Sequence, residues 1–227
     1  MNATTPFTLL EEVLHCLKDV KADGYAIEEM IVACRSAPDV PDEAGRAQGH
    51  VPTHRGLLDD AIAAIDAPHL QNLKSALLAA SDHLRWKVDD GGYYDAGDDV
   101  GEGYRSGNMH SLLLGPQDAL VHSTEHLLGL FLLAPWTLYR DHKHLAPEIY
   151  IPLTGPSGWR FDLREWVDHP AGSRILNPPN TVHATRVYDR PFLALFAWTS
   201  QITSRCSVVN AGDWAETESF LAQRSIA

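Results

Sequence analysis

His142, His144 and Glu148 fall within seven residues of the stretch YRDHKHLAPEIYIPLTG, residues 139–155. His183 closes a second stretch, GSRILNPPNTVH, residues 172–183. Three imidazoles and one carboxylate are donor types that suit a divalent transition metal ion. The rival reading is a hydrogen-bonded cluster without metal. It would have to gather four ionisable groups on one face, and burying such groups unpaired is costly. In EIYIPL (148–153), strand alternation sends Glu148, Tyr150 and Pro152 to one face and Ile149, Ile151 and Leu153 to the other. Tyr150 therefore stands beside the carboxylate.

These residues need a scaffold, and the texture of the chain predicts one. From about residue 107, short apolar runs alternate with Gly and Pro: MHSLLLG, HLLGLFLL, EIYIPLTG, VHATRVY and FLALFAWTS. Runs of this length between turn residues predict antiparallel strands. The first 86 residues read as helical. Phe7, Leu10, Val13, Leu14, Leu17 and Val20 recur at helical spacing over 7–20. Thr8 and Glu11 have the spacing of a capping box. A second helix is expected at 25–35, a loop at 36–53, and helices at 54–65 and 68–86. The Asp- and Gly-rich segment 88–107 reads as a surface turn region able to border a site, with Tyr93, Tyr94 and Tyr104 at its mouth. It lacks the ligand order of a calcium loop and does not open a dinucleotide-binding helix. A short terminal helix near 210–220 carries a cap signal at Asp213 and Glu216.

The bulk composition excludes some function classes. Among 227 residues, 30 are Asp or Glu and 18 are Lys or Arg, a formal charge of -12. That balance repels polyanions and argues against nucleic-acid binding, which draws its free energy from phosphate neutralisation. Cys16, Cys34 and Cys206 form no CxxC pair, and an odd count argues against a disulfide framework. The N-terminus lacks a basic start followed by a long apolar run. The apolar stretch at 127–135 is too short to span a bilayer as a helix. The expectation is a cytoplasmic protein with no membrane partner, whose apolar helical surface suits a homodimer.

The two stretches follow the patterns H-x-H-x3-E-x6-G and G-x5-P-x-N-x2-H, and over about 107–203 the chain resembles the cupins. Asn180 stands where a glycine is usual in the second motif. Asn tolerates a positive φ better than most residues, so that change is mild. Trp136 stands where the first motif would open on glycine, which implies a turn built differently. Tyr139 ahead of His142, and Tyr150 after Glu148, make the stretch similar to the cupin-type dimethylsulfoniopropionate lyases, in the branch with a helical N-terminal region.

That resemblance implies a mainly β fold: a single cupin barrel (a double-stranded β-helix, or jelly roll) with an N-terminal α-helical region. Residues 1–90 would pack as helices on the barrel, and 91–227 would form the barrel with a short C-terminal helix. His142, His144, Glu148 and His183 would hold one divalent ion, Fe, Zn or Mn, with Co or Ni also accommodated. Tyr150 would be the general base and Tyr139 a catalytic neighbour. Tyr139, Trp136 and Trp198 would contact a small zwitterionic sulfonium substrate, cleaved by β-elimination to dimethyl sulfide and acrylate. The same ligand set would also suit an Fe(II) dioxygenase, a sugar or keto-acid isomerase, or a cupin that only binds a small molecule.

Overall fold

The computed structural model describes residues 5–36 and 52–225. The chain opens with α1 (Thr5–Lys18), α2 (Ile27–Ser36), α3 (Arg55–Ala63) and α4 (Gln71–Ala80). Helix α1 starts ahead of Thr8, so Thr8 lies inside it and does not cap it. The helix expected over 68–86 is broken: α4 is flanked by 3-10 turns at Pro68–Leu70 and Ser81–His83. Leu84 is already extended (φ -96°, ψ 147°). The loop expected at 36–53 falls, from 37 to 51, outside the described residues.

After α5 (Glu102–Gly107), the chain turns to strands. These are β1 (Asn108–Gly115), β2 (Val121–His122), β3 (Leu127–Leu133), β4 (Leu138–Lys143), β5 (Glu148–Pro152) and β6 (Ser157–Phe161). There follow β7 (Val167–His169), β8 (Ile175–Asn177), β9 (His183–Val187), β10 (Phe192–Trp198) and β11 (Ser207–Val208), then α6 (Trp214–Arg224). They form a six-stranded sheet, order β2-β1-β3-β10-β5-β8, and a five-stranded sheet, order β11-β4-β9-β6-β7.

This corrects the expected fold class. The protein is a mixed α/β fold whose sheets resemble cupin topology, and neither sheet closes into a barrel. Among the described residues no strand ladder joins one sheet to the other. The reason lies at the edges. The outermost strands β2, β8, β7 and β11 are only two or three residues long, too short to carry pairing around a corner. The sheets are held face to face by side chains, and α-helix takes up as much of the chain as strand does.

The six-stranded sheet is buried on both faces. On its outer side Leu128, Leu130, Leu132, Ile149, Ile151, Leu193 and Leu195 share one core with Leu9, Leu14, Leu58, Leu73 and Leu77 of the helices. On its inner side Phe131, Leu133, Tyr150, Phe192 and Trp198 meet Tyr139, Trp159 and Val187. Each such aliphatic side chain taken from water contributes about 1.5–3 kcal/mol. Double-sided burial explains why β3 and β10 read as near-continuous apolar runs with little alternation. Gly129 marks a close approach within this layer. A Cβ there would lie 2.4 Å from the Ser111 carbonyl oxygen and 2.8 Å from the Phe196 ring.

A buried charge network braces the other sheet from outside. Arg160 on β6 donates to both carboxylate oxygens of Asp141 (2.9 and 2.5 Å) and of Asp213 (2.5 and 2.9 Å). Trp214 Nε1 donates to Asp141 Oδ2 at 2.7 Å. Asp213 does occupy the N-cap of α6, but it makes no side-chain cap bond, because its carboxylate is turned to Arg160. The clamp ties α6 and β6 to the residue just before His142.

Candidate metal centre

The strands carry their polar side chains to one place. His142 on β4 and His183 on β9 are register partners across an antiparallel pair, with ring centroids 4.2 Å apart. Glu148 opens β5 in the facing sheet, and His144 lies just past the end of β4. His142, His144, Glu148 and His183 are all buried.

Each imidazole is oriented by a backbone carbonyl. His142 Nδ1 lies 2.7 Å from Arg140 O, His144 Nδ1 2.9 Å from Ala146 O, and His183 Nδ1 2.9 Å from Thr181 O. A carbonyl can only accept, so each Nδ1 carries the proton and each Nε2 faces inward as the potential ligand. One donor atom from each of the three histidines lies within 4.8 Å of the others. Glu148 Oε2 is 3.2 Å from His144 Nε2 and 3.5 Å from His183 Nε2. The longer contact is no hydrogen bond, and His183 Nε2 is buried without a partner. Where lone pairs converge on a carboxylate oxygen in this way, a cation must sit between them, either a proton or a metal. The buried, unpartnered His183 Nε2 is the atom that a metal ion would satisfy, and the three-imidazole set is capable of coordinating one divalent transition metal ion.

The electrostatics agree with a charged carboxylate among imidazoles. Burial by itself would raise the Glu148 pKa, but His144 and His183 outweigh it and hold the carboxyl well below its ordinary range. Burial, reinforced by the neighbouring His183 and His144, holds the His142 imidazole well below its usual value, so it is neutral. A neutral imidazole is the form that ligates.

Around this cluster runs an aromatic cavity. Trp198 donates its indole N–H to Glu148 Oε1 at 2.8 Å and stacks on His144 (4.6 Å, 29°). Tyr150 shares the inner face of β5 with Glu148 and lies among Phe131, Trp159 and Phe196. Burial pushes its phenol well above the ordinary range, and the Glu148 charge adds to the effect. Tyr139 lies 4.3 Å from the His142 ring, stacks on Tyr104 (4.6 Å, 16°) and shares a hydrogen bond with the Tyr94 hydroxyl. Tyr139 and His142 are three positions apart, so plain alternation would put them on opposite faces. They both reach the cavity because the β4–β9 register shifts between them, β9 advancing two residues while β4 advances three.

Two expectations meet a different arrangement. Trp136 does not line the cavity. It sits half-buried in the turn before β4, its backbone N–H donating to Tyr188 O at 2.8 Å. That turn keeps the left-handed backbone that a glycine would supply: Trp136 has φ 60°, and Asn180 in the second motif has φ 61°. Segment 88–107 is more than a surface turn. Tyr94 and Tyr104 are buried in the cavity wall, and Tyr104 donates to Asp89 Oδ2 at 2.7 Å. Asn177, absent from the expected site, donates Nδ2–H to Glu148 Oε2 at 2.7 Å. Among the described residues that line the cavity none is Lys or Arg.

The chain is similar to known proteins in sequence and in fold. A family model described as dimethylsulfoniopropionate lyase matches residues 28–194. The dimethylsulfoniopropionate lyase DddQ of Ruegeria pomeroyi is 36% identical over 69 residues, which is 28% of this chain and about a third (32%) of that protein's length. The crystal structure of the dimethylsulfoniopropionate (DMSP) lyase DddQ from Ruegeria pomeroyi DSS-3 superposes with a TM-score of 0.67 at 19% identity, covering 92% of this chain and 98% of that one. A chain from the crystal structures of the DMSP lyases RdDddP and RnDddQII gives 0.63 at 18% identity, covering 91% and 98%. At these identities the superpositions establish a shared fold.

Proposed function

The chain belongs to the dimethylsulfoniopropionate lyase family, and from that premise we propose that it cleaves dimethylsulfoniopropionate by β-elimination into dimethyl sulfide and acrylate. The observation that carries this reading is the convergence of three imidazole nitrogens and Glu148 Oε2 on one point, with Tyr150 on the same strand face. The cavity chemistry supports it as well. A sulfonium is a soft cation, and the faces of Phe131, Phe196, Tyr104 and Trp198 offer it cation–π attraction. With no Lys or Arg among the described residues that line the cavity, none of them offers the substrate carboxylate a cationic side chain away from the histidine cluster.

A divalent ion held by His142, His144, Glu148 and His183 would act as a Lewis acid on the substrate carboxylate and stabilise the negative charge that develops as the α-proton leaves. Tyr150, as phenolate, takes that proton from the carbon next to the carboxylate. The electron pair forms the carbon–carbon double bond, and the carbon–sulfur bond breaks. Dimethyl sulfide departs neutral and needs no acid. Burial and the Glu148 carboxylate both oppose ionisation of Tyr150. Its activation therefore depends on positive charge brought into the cavity, the sulfonium included. Tyr139, hydrogen-bonded to Tyr94 and stacked on Tyr104, keeps a fixed place beside the His142 ring, and its role would be to orient the substrate. The aromatic wall limits water at the reacting carbon.

Anaerobic incubation of protein loaded with Fe(II), Zn(II) or Mn(II) should release dimethyl sulfide and acrylate in equal amounts from dimethylsulfoniopropionate. Absence of product with every one of these ions, and with Co(II) and Ni(II), would refute the assignment. A requirement for dioxygen would point instead to an oxygenase. Among the described residues no helix is long and apolar enough to cross a membrane.

A further inference from the structure

We infer that Asn177 is a positioning residue that fixes which oxygen of Glu148 faces the histidine cluster, an inference that rests on the metal reading above. Asn177 ends β8 and is the register partner of Glu148 on β5. It is fully buried, and its Nδ2 donates to Glu148 Oε2 at 2.7 Å. Oε2 is also the oxygen that approaches His144 Nε2 and His183 Nε2. The other oxygen, Oε1, is taken by the Trp198 indole N–H. A carboxylate oxygen has two lone pairs. With one on the Asn177 amide, Oε2 has a single lone pair left to aim at the point where the imidazoles converge. Trp198 keeps Oε1 from rotating in to bind as a second donor. Together the two donors would leave Glu148 one oxygen to offer a metal ion.

A second observation separates this from ordinary packing. Among the described residues Asn177 Oδ1, which is buried, has no hydrogen-bond partner. An amide kept only to fill space or join strands would leave no acceptor unmet, since a leucine of similar size would pack there without that cost. The unmet acceptor is the consequence of turning the NH2 group towards the carboxylate.

The test uses full-length protein stripped of metal and titrated with Co(II) and Zn(II). Asn177→Leu should lower metal affinity by about 10- to 100-fold and shift the Co(II) visible spectrum, while the far-UV circular dichroism matches the parent. Asn177→Asp, nearly isosteric, should perturb the same spectrum, because a carboxylate has no N–H to offer. Should the leucine variant fail to fold, the aspartate variant decides. Unchanged affinity and an unchanged spectrum would overturn the inference. Glu148→Gln separates the two levels. If it binds metal as tightly as the parent, Glu148 is not a ligand, and the part of the metal reading on which the inference rests fails. If it loses metal while both Asn177 variants keep it, only the positioning role falls.

Discussion

Trp198 holds Glu148 and His144 together: its N–H reaches Glu148 Oε1 at 2.8 Å while its ring stacks on the His144 imidazole at 4.6 Å. The pairing spans two places in the fold, since Trp198 ends β10 and is the register partner of Glu148 on the neighbouring β5. A tryptophan expected to contact substrate is thus placed to fix the carboxylate beside the histidine cluster.

Trp198→Phe keeps an aromatic ring in the cavity and deletes the N–H. Metal affinity should fall at least about tenfold, as is typical when a group orienting a ligand is lost. Isothermal titration with Zn(II) measures it. An unchanged affinity combined with a raised KM would make the ring's contact with substrate the whole of its role.

Tyr150→Phe removes the proposed base and none of the imidazole nitrogens. The variant should bind metal like the parent and lose about 10²- to 10⁴-fold in kcat, the range general base catalysis supplies. Headspace dimethyl sulfide gives the rate, and elemental analysis gives the occupancy. Near-normal kcat would assign proton abstraction to another group.

Acid should weaken the metal-free protein before its carboxylates titrate. His142 has a lower pKa folded than unfolded, because burial disfavours its cation. Its unfolded form therefore binds more protons, and the stability it contributes is full above about pH 6.5 and is lost as pH falls below that value. Glu148, also depressed in the folded chain, adds a second loss only below about pH 4.5. Tm of the apoprotein should decline from pH 7 to pH 5.5, with a shallower slope in His142→Asn. A flat profile for the parent would contradict the neutral assignment.

Arg160→Met should destabilise by about 3–5 kcal/mol, the range for stranding one partner of a buried pair. Asp141, fully buried, would keep only the Trp214 N–H. Urea unfolding measures the loss. A difference below about 1 kcal/mol would mean that the Arg160 network is solvated or redundant.

The arrangement of the cluster was partly legible because it is local in sequence. His142, His144, Glu148 and Tyr150 fall within one short stretch from β4 to β5, and period-two alternation placed Glu148 and Tyr150 on one face, where both line the cavity. Asn180 could be read as a left-handed position from residue type alone, and its φ of 61° agrees. Trp136 could not, since nothing in an indole favours φ 60°. That conformation is imposed by the turn into β4. The expectation of a closed barrel failed because strand texture reports which residues are extended and not how the outer strands end. Short edges such as β2 and β11 stop the ladders. Asn177 and the burial of Tyr94 and Tyr104 escaped notice for a related reason. Each gains its role from a partner far along the chain, and a single sequence carries no periodic trace of such a pairing.

The slipped register on β4 has a consequence for how this protein can change. Upstream of the slip, the strand presents Tyr139 to the interior; downstream, it presents His142. One surplus residue reconciles the two phases. Losing a single amino acid between them would restore plain alternation and leave the phenol and the imidazole on one wall, but it would remove Arg140, which pairs with Glu218, or Asp141, which pairs with Arg160. The surplus position is what gives so short a strand room for both anchors.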